Sequence, residues 1–166
     1  SNRTFEIIMM KLLSENDPFL NYKQELTLEH PSTFTDIIQE MFIIMRTNNG
    51  IGLAANQVGL KLNLFVMDID EKEYVIFNPK IIEQDATRIV KTEGCLSFPK
   101  LKLDVARPIK IIVEYTDLAG TVIQETLSGL AARCFLHEAD HLRGITFTQK
   151  VPKRELLRAR INRTKS

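Results

Sequence analysis

His137-Glu138-Ala139-Asp140-His141 is the feature that most narrows what this chain can become. On a helix, residues four apart stand on one face, so His137 and His141 can grip one divalent metal through their imidazole nitrogens. Glu138 follows the first of them and can reach the water that such a metal activates. The pattern demands an uninterrupted helix, and the flanking residues allow one. Gly129 opens it, Ser128 is placed to cap it, it runs through Leu142, and Gly144 stops it. The bland alternative is a charged surface helix carrying two unrelated histidines, and the rest of the chain has to decide between them.

A catalytic metal site takes three protein ligands and leaves one position open. No histidine follows His141, and Glu155 is the one acidic residue beyond it, so the third ligand is expected upstream. Cys134 and Cys95 compete. Cys134 lies three residues before His137 on the same helix face, but three ligands stacked on one helix would all have to bend to a single point. Cys95, in Thr92-Glu93-Gly94-Cys95-Leu96-Ser97, comes from a different segment, a loop by this reading, with Gly94 relieving crowding beside the thiol. A ligand converging on the helix pair makes the better tripod. Cys95 is the expected ligand and Cys134 a small apolar group of the core or pocket wall.

The third segment is Gly50-Ile51-Gly52-Leu53-Ala54-Ala55-Asn56-Gln57. It lacks the third glycine of a dinucleotide loop, and no G-K-[ST] follows, so a nucleotide cradle is a poor fit. Two glycines and two alanines let the backbone approach a neighbour or ligand closely. Main-chain groups there can pair with an extended peptide, and the Gln57 amide can face a developing oxyanion.

Around these segments the chain reads as one α+β domain over residues 1–166. At 166 residues with 44 % apolar and 26 % charged side chains, it is an ordinary globular chain, long enough for a real core. Phe34, Ile37, Ile38, Met41 and Met45 recur at helical spacing after Pro31, with Ser32 or Thr33 as expected cap and a stop at Asn48-Asn49-Gly50. Strands are expected at Leu64–Ile69, Tyr74–Phe77, Ile109–Tyr115 and Thr121–Thr126, with turns at Asp70-Glu71-Lys72 and Asp117–Gly120. Strands around an internal helix suit an α+β fold rather than a doubly wound sheet. Two cysteines are too few for a disulfide scaffold. No apolar run approaches the length of a membrane span, and Ser1-Asn2-Arg3-Thr4 does not read as a signal peptide. Residues 148–166 carry seven basic side chains and one acidic, a short basic tail that suits an anionic surface such as RNA or else lies frayed in solvent.

Taken in order, the three segments resemble the motifs of the peptide deformylases: Gly50 to Gln57, then Glu93-Gly94-Cys95-Leu96-Ser97, then His137 to His141 with Leu142 and Gly144. The resemblance spans roughly residues 16–157. It implies mainly antiparallel sheets around the helix that carries H-E-x-x-H, with an N-terminal helix. It also implies hydrolysis of the formyl group from N-formylmethionyl nascent peptides, with release of formate. Cys95, His137 and His141 would hold one divalent metal, with water at the fourth position. Iron(II) is the native expectation and zinc or nickel are possible substitutes. Glu138 would move protons, and Gln57 with the backbone N–H of Leu96 would stabilise the oxyanion. Ile51 and Gly52 would bind the peptide as an added strand, with Gly94 beside it. Ile51, Leu130, Arg133 and Cys134 would border the methionine pocket. Two departures stand out: Leu136 replaces a customary Gln, and Arg133 stands where an apolar residue is more typical. The C-terminal helix, Lys153 to Lys165, is expected to be brief. A cytoplasmic monomer that touches ribosomes transiently and no membrane completes the reading, with a bacterium, an organelle or a phage-infected bacterium as its setting. The rival classes are an H-E-x-x-H zinc endopeptidase and a ribosome- or RNA-binding module with a structural metal.

Overall fold

The computed structural model describes residues 10–165, so the expectation for Ser1 to Thr4 lies outside the described residues. The order of elements is α1 (Thr35–Thr47), β1 (Gly52–Ala54), β2 (Leu64–Ile69), β3 (Lys72–Gln84), β4 (Arg88–Cys95), β5 (Phe98–Pro108), β6 (Lys110–Thr116), β7 (Val122–Ser128), α2 (Gly129–Leu142) and α3 (Lys153–Thr164). Five strands form one antiparallel sheet in the order β1-β2-β3-β6-β7, and β4-β5 form a separate hairpin.

The apolar run in β2 exists because both faces of that strand are covered. Phe65, Met67 and Ile69 pack with Phe135, Leu136, Ala139 and Leu142 of α2. Leu64 and Val66 point the other way, onto Ile38, Met41, Phe42 and Met45 of α1. Strand side chains alternate between faces, so one strand feeds two cores. The β2–β3 hairpin turns at Asp70 and Glu71, which both take the left-handed backbone that a tight two-residue turn requires.

A third core joins the β4–β5 hairpin to the C-terminal segment through Phe98, Leu101, Leu103, Val105 and Phe147, with Leu156 and Ala159 of α3 against them. Residues 153–164 thus form a twelve-residue helix rather than a brief one, and Arg163 bonds Glu15 at 2.8 Å. Two caps also differ from expectation. The ring of His30, not Ser32 or Thr33, caps a 3-10 turn at Pro31–Phe34, and α1 begins only at Thr35. Ser128 occupies the N-cap position of α2 without a side-chain hydrogen bond.

Helix α2 is buried from Ala132 to Leu142, all but its first three residues. A charged surface helix is thereby ruled out. Its apolar side meets the large sheet, and its histidines and Glu138 turn toward the hairpin side, where a cleft opens.

A candidate metal centre at the floor of a cleft

Two elements bring the ligand set together. His137 and His141 come from successive turns of α2, and Cys95 is the last residue of β4. Cys95 is therefore a strand-end residue beside the turn at Leu96 and Ser97, rather than part of a free loop. The ligand atoms of Cys95, His137 and His141 all lie within 4.8 Å of one another, and Cys95 Sγ stands 3.2 Å from His141 Nε2. One thiolate and two imidazoles from a strand end and a helix are a donor set that suits zinc or ferrous iron.

Cys134 is not part of this group. It lies buried in the first core, its thiol 3.8 Å from the Ile51 carbonyl oxygen. Burial pushes that thiol well above its ordinary pKa, with Glu138 and Glu93 adding to the effect, so it stays neutral.

His137 is held by charged groups whose part in the site the sequence did not reveal. His137 Nδ1 bonds Glu93 Oε1 at 2.9 Å, which leaves Nε2 for a metal. Glu93 is in turn gripped by Arg107 at 2.6 and 2.9 Å and by Arg133 at 2.6 Å. Arg107 reaches on to Asp140 at 3.0 Å, and Asp140 also pairs with Arg143. All but Arg143 are buried, so each charge has its partners inside. Burial alone would raise the Glu93 carboxyl, but hydrogen bonds and charge from His137 and Arg107 outweigh it and hold its pKa at about 2. No spacing rule links positions 93, 107, 133 and 140. Only the alternation of Leu101, Leu103 and Val105 hinted at the strand that carries Arg107 inward.

Burial would lower His137 as well, yet Glu138, Cys95 and Glu93 hold it well above its ordinary value. His141 is pushed well below, first by burial and then by the charge of His137. Glu138 lies beside the first ligand with Oε1 buried and unpartnered. Burial raises its pKa to about 7, with Glu93 and Asp140 adding to the rise and His137 and Arg107 opposing it. A carboxyl poised there can both accept and return a proton near neutral pH. His141 Nδ1 and Asn56 Oδ1 are the other buried polar atoms without a partner among the described residues.

Gln57 closes the opposite side from a 3-10 turn that follows β1. Its Oε1 accepts the N–H of Ala54 at 2.9 Å, which fixes the amide and aims Nε2 at Ser97 Oγ (3.1 Å) and Cys95 Sγ (3.6 Å).

The cleft has a volume of about 530 Å³. Gly50, Ile51 and Gly52 form one wall, Gly94, Cys95 and Leu96 another, and Leu130, Arg133 and Cys134 a third. Among the described residues strand β1 pairs with β2 alone, which leaves its other edge without a strand partner. The Ile51 carbonyl is already taken by the N–H of Asp68 at 2.8 Å. Gly52 sits so close to α2 that a Cβ there would stand 2.6 Å from Glu138 Oε2 and 2.7 Å from Cys134 Sγ. Arg133 lines the cleft, but its guanidinium bonds Glu93 and the Val105 and Ile89 carbonyls, so its charge is spent in the wall. Leu136, the departure from the usual Gln, packs into the first core.

The polypeptide deformylase family model matches residues 9–156. The chain belongs to that family. A peptide deformylase of Finegoldia magna is 40 % identical over 139 residues, covering 82 % of this chain and 86 % of the relative. One from Thermotoga petrophila is 36 % identical over 155 residues, covering 92 % of this chain and 94 % of its own. The crystal structure of the Thermotoga maritima peptide deformylase superposes with a TM-score of 0.84 at 35 % identity, covering 87 % of this chain and 98 % of that one. A Synechococcus elongatus peptide deformylase in complex with actinonin gives a TM-score of 0.88 at 35 % identity, over 93 % of this chain and 86 % of that one. The α+β fold is the one these deformylases share. Like the family, the chain is a metal-dependent hydrolase that removes the formyl group from nascent peptides. Neither the endopeptidase nor the structural-metal reading gains support.

Proposed function

We propose that this deformylase acts on N-formylmethionyl peptides through one divalent metal held by Cys95, His137 and His141. The observation that carries the reading is the buried, unpartnered Glu138 carboxyl beside a compact thiolate–imidazole triad on a cleft. When bound, the metal supplies Lewis acidity toward the formyl carbonyl and lowers the pKa of water. Iron(II) is the native metal in this reading, with zinc and nickel as substitutes, since a Cys–His–His set accepts each.

The protein groups divide the remaining work. Glu138 takes the proton of the attacking water and later delivers one to the leaving amine. Gln57 Nε2, clamped through its own oxygen by Ala54, donates to the formyl oxygen as charge develops there, together with the Leu96 N–H. Donors fixed before reaction favour the transition state over the ground state. Glu93 holds the His137 ring in the orientation a ligand needs. The methionine side chain fills the cleft between Ile51, Leu130, Cys134 and the stem of Arg133. The peptide backbone runs along the edge of β1 away from β2, near Gly52, and past Gly94, the β-strand-addition mode of recognition. The whole chain acts as one catalytic domain, a cytoplasmic monomer whose basic C-terminal helix meets the ribosome transiently. Among the described residues, no helix is long and apolar enough to cross a membrane.

Glu138→Gln tests the assignment. It keeps shape and metal but removes the proton carrier, so kcat should fall by roughly 10²-fold or more. Full metal with near-normal kcat would refute it.

A further inference from the structure

Two lysines at the cleft have no role in the chemistry above. Lys100 and Lys102 border the catalytic cleft and also a second cleft, of about 560 Å³, between the β4–β5 hairpin and α3. Thr92 is the third residue the two clefts share. Both lysines are exposed and alternate with buried Leu101 and Leu103, so they stand on the solvent side of β5. Lys102 leans across Gly94: a Cβ built there would lie 2.7 Å from its Nζ. Gly94 adjoins the ligand Cys95, so the ammonium stands beside the path out of the metal site. Lys100 keeps a left-handed backbone, φ 62°, where glycine or asparagine would be easier.

The acids on the second cleft, Asp104 and Glu155, pair with neither lysine. Asp104 accepts from Thr92 Oγ1 at 2.6 Å, and Glu155 faces Arg158 at 3.6 Å. Arg163 is held by Glu15. Among the described residues, neither Lys100 nor Lys102 has a carboxylate within ion-pair distance. Two free ammonium groups therefore face the opening, with Arg158 behind them.

We propose that Lys100 and Lys102 form an acid-selective rim, favouring formylated peptides with Asp or Glu in the few residues that follow the methionine. The proposal rests on the deformylase reading and adds a sequence preference to it. An extended peptide advances about 3.3 Å per residue, so a chain leaving the formyl site passes Gly94 within two or three residues. An acidic side chain there meets the lysines. A basic one is repelled.

The test uses formyl-Met-Ala-Xaa-Ala amides with Xaa as Glu, Ala or Lys, the amide removing the terminal carboxylate. At low salt the wild-type enzyme should show a kcat/KM for Glu roughly 3- to 10-fold above that for Lys, the scale of one or two partly exposed ion pairs. High salt should erase the difference. Lys100→Met/Lys102→Met should bring the ratio close to one, and Lys100→Glu/Lys102→Glu should invert it. Equal rates on all three peptides, or a Glu preference that survives in either double variant, would overturn the rim. An RNA-docking role for the same lysines would give that equal-rate result. If the wild-type enzyme releases no formate even from the Ala peptide, it is the deformylase reading that fails, and the rim falls with it.

Discussion

Gly52→Ala is a one-carbon change that separates packing from catalysis at this site. The new methyl would meet Glu138 Oε2 at 2.6 Å, Cys134 Sγ at 2.7 Å and Glu138 Cδ at 3.0 Å, where ordinary contact begins at 3.4 Å. The overlap is about 0.8 Å against the two nearest atoms, and both belong to a buried face of α2. Overpacking of this kind costs about 1–3 kcal/mol. For a chain of this length that corresponds to a drop of about 2–12 °C in Tm. The catalytic loss should be larger, because the carboxylate that moves protons is what gives way. A misplacement of about 1 Å costs about 10²-fold in kcat. Cys134→Ala in the same chain removes the sulfur but leaves the clash with Glu138. In a double-mutant cycle the pair should therefore couple favourably in stability, by about 1 kcal/mol, while kcat stays low. Thermal melts and formate-release kinetics on the four proteins read both. Normal Tm and kcat in Gly52→Ala would refute the close approach of β1 to α2. Recovery of kcat in the double variant would refute the claim that Glu138 is what the methyl displaces.

Three further outcomes follow from the same geometry. Cys95→Ser should lose most metal and activity, whereas Cys134→Ser should keep near-stoichiometric metal by elemental analysis; equal metal loss would overturn the ligand assignment. Glu93 is held at about 2 in the folded protein against an ordinary 4.5, so its stabilisation is complete above about pH 5 and disappears as pH falls through 4.5 toward 2. That is about 3 kcal/mol, and Glu93→Gln should flatten the decline in denaturation midpoint across this window, whereas an unchanged slope would refute it. Charge reversal at Lys153, Arg154 and Arg158 should weaken salt-sensitive cosedimentation with ribosomes while short-peptide kcat/KM holds. Unchanged cosedimentation at low salt would leave the helix as packing for β5 alone.

Much of the site was legible because its chemistry is local. The His137–Glu138–His141 spacing needs only a helix, and Cys95, the proposed third ligand, comes from a segment separate from that helix, as a tripod of donors requires. Four of the five strands of the large sheet were legible for a related reason, since β2 and β6 are rich in β-branched and apolar residues between clear turns; β1 was not expected as a strand, and β3 continues past the expected Phe77 to Gln84. The β4–β5 hairpin escaped because β4 is exposed over most of its length, so Arg88 to Thr92 shows no buried face to alternate with. The network of Glu93, Arg107, Arg133 and Asp140 escaped because its members are far apart in sequence and charged, which reads as surface. Arg133 looked out of place in an apolar pocket until Glu93 supplied the reason for it. The length of α3 was underestimated because its anchor, Leu156 and Ala159 on β5, is a tertiary contact.

The most direct test of the central claim is formate release from a formyl-methionyl peptide by anaerobically purified protein, with metal content measured on the same sample. The account predicts close to one divalent metal per chain, one formate for each free amino terminus, loss of turnover on chelation and its return with iron(II). Full turnover by metal-free protein, or cleavage of an internal peptide bond in place of formate release, would contradict it.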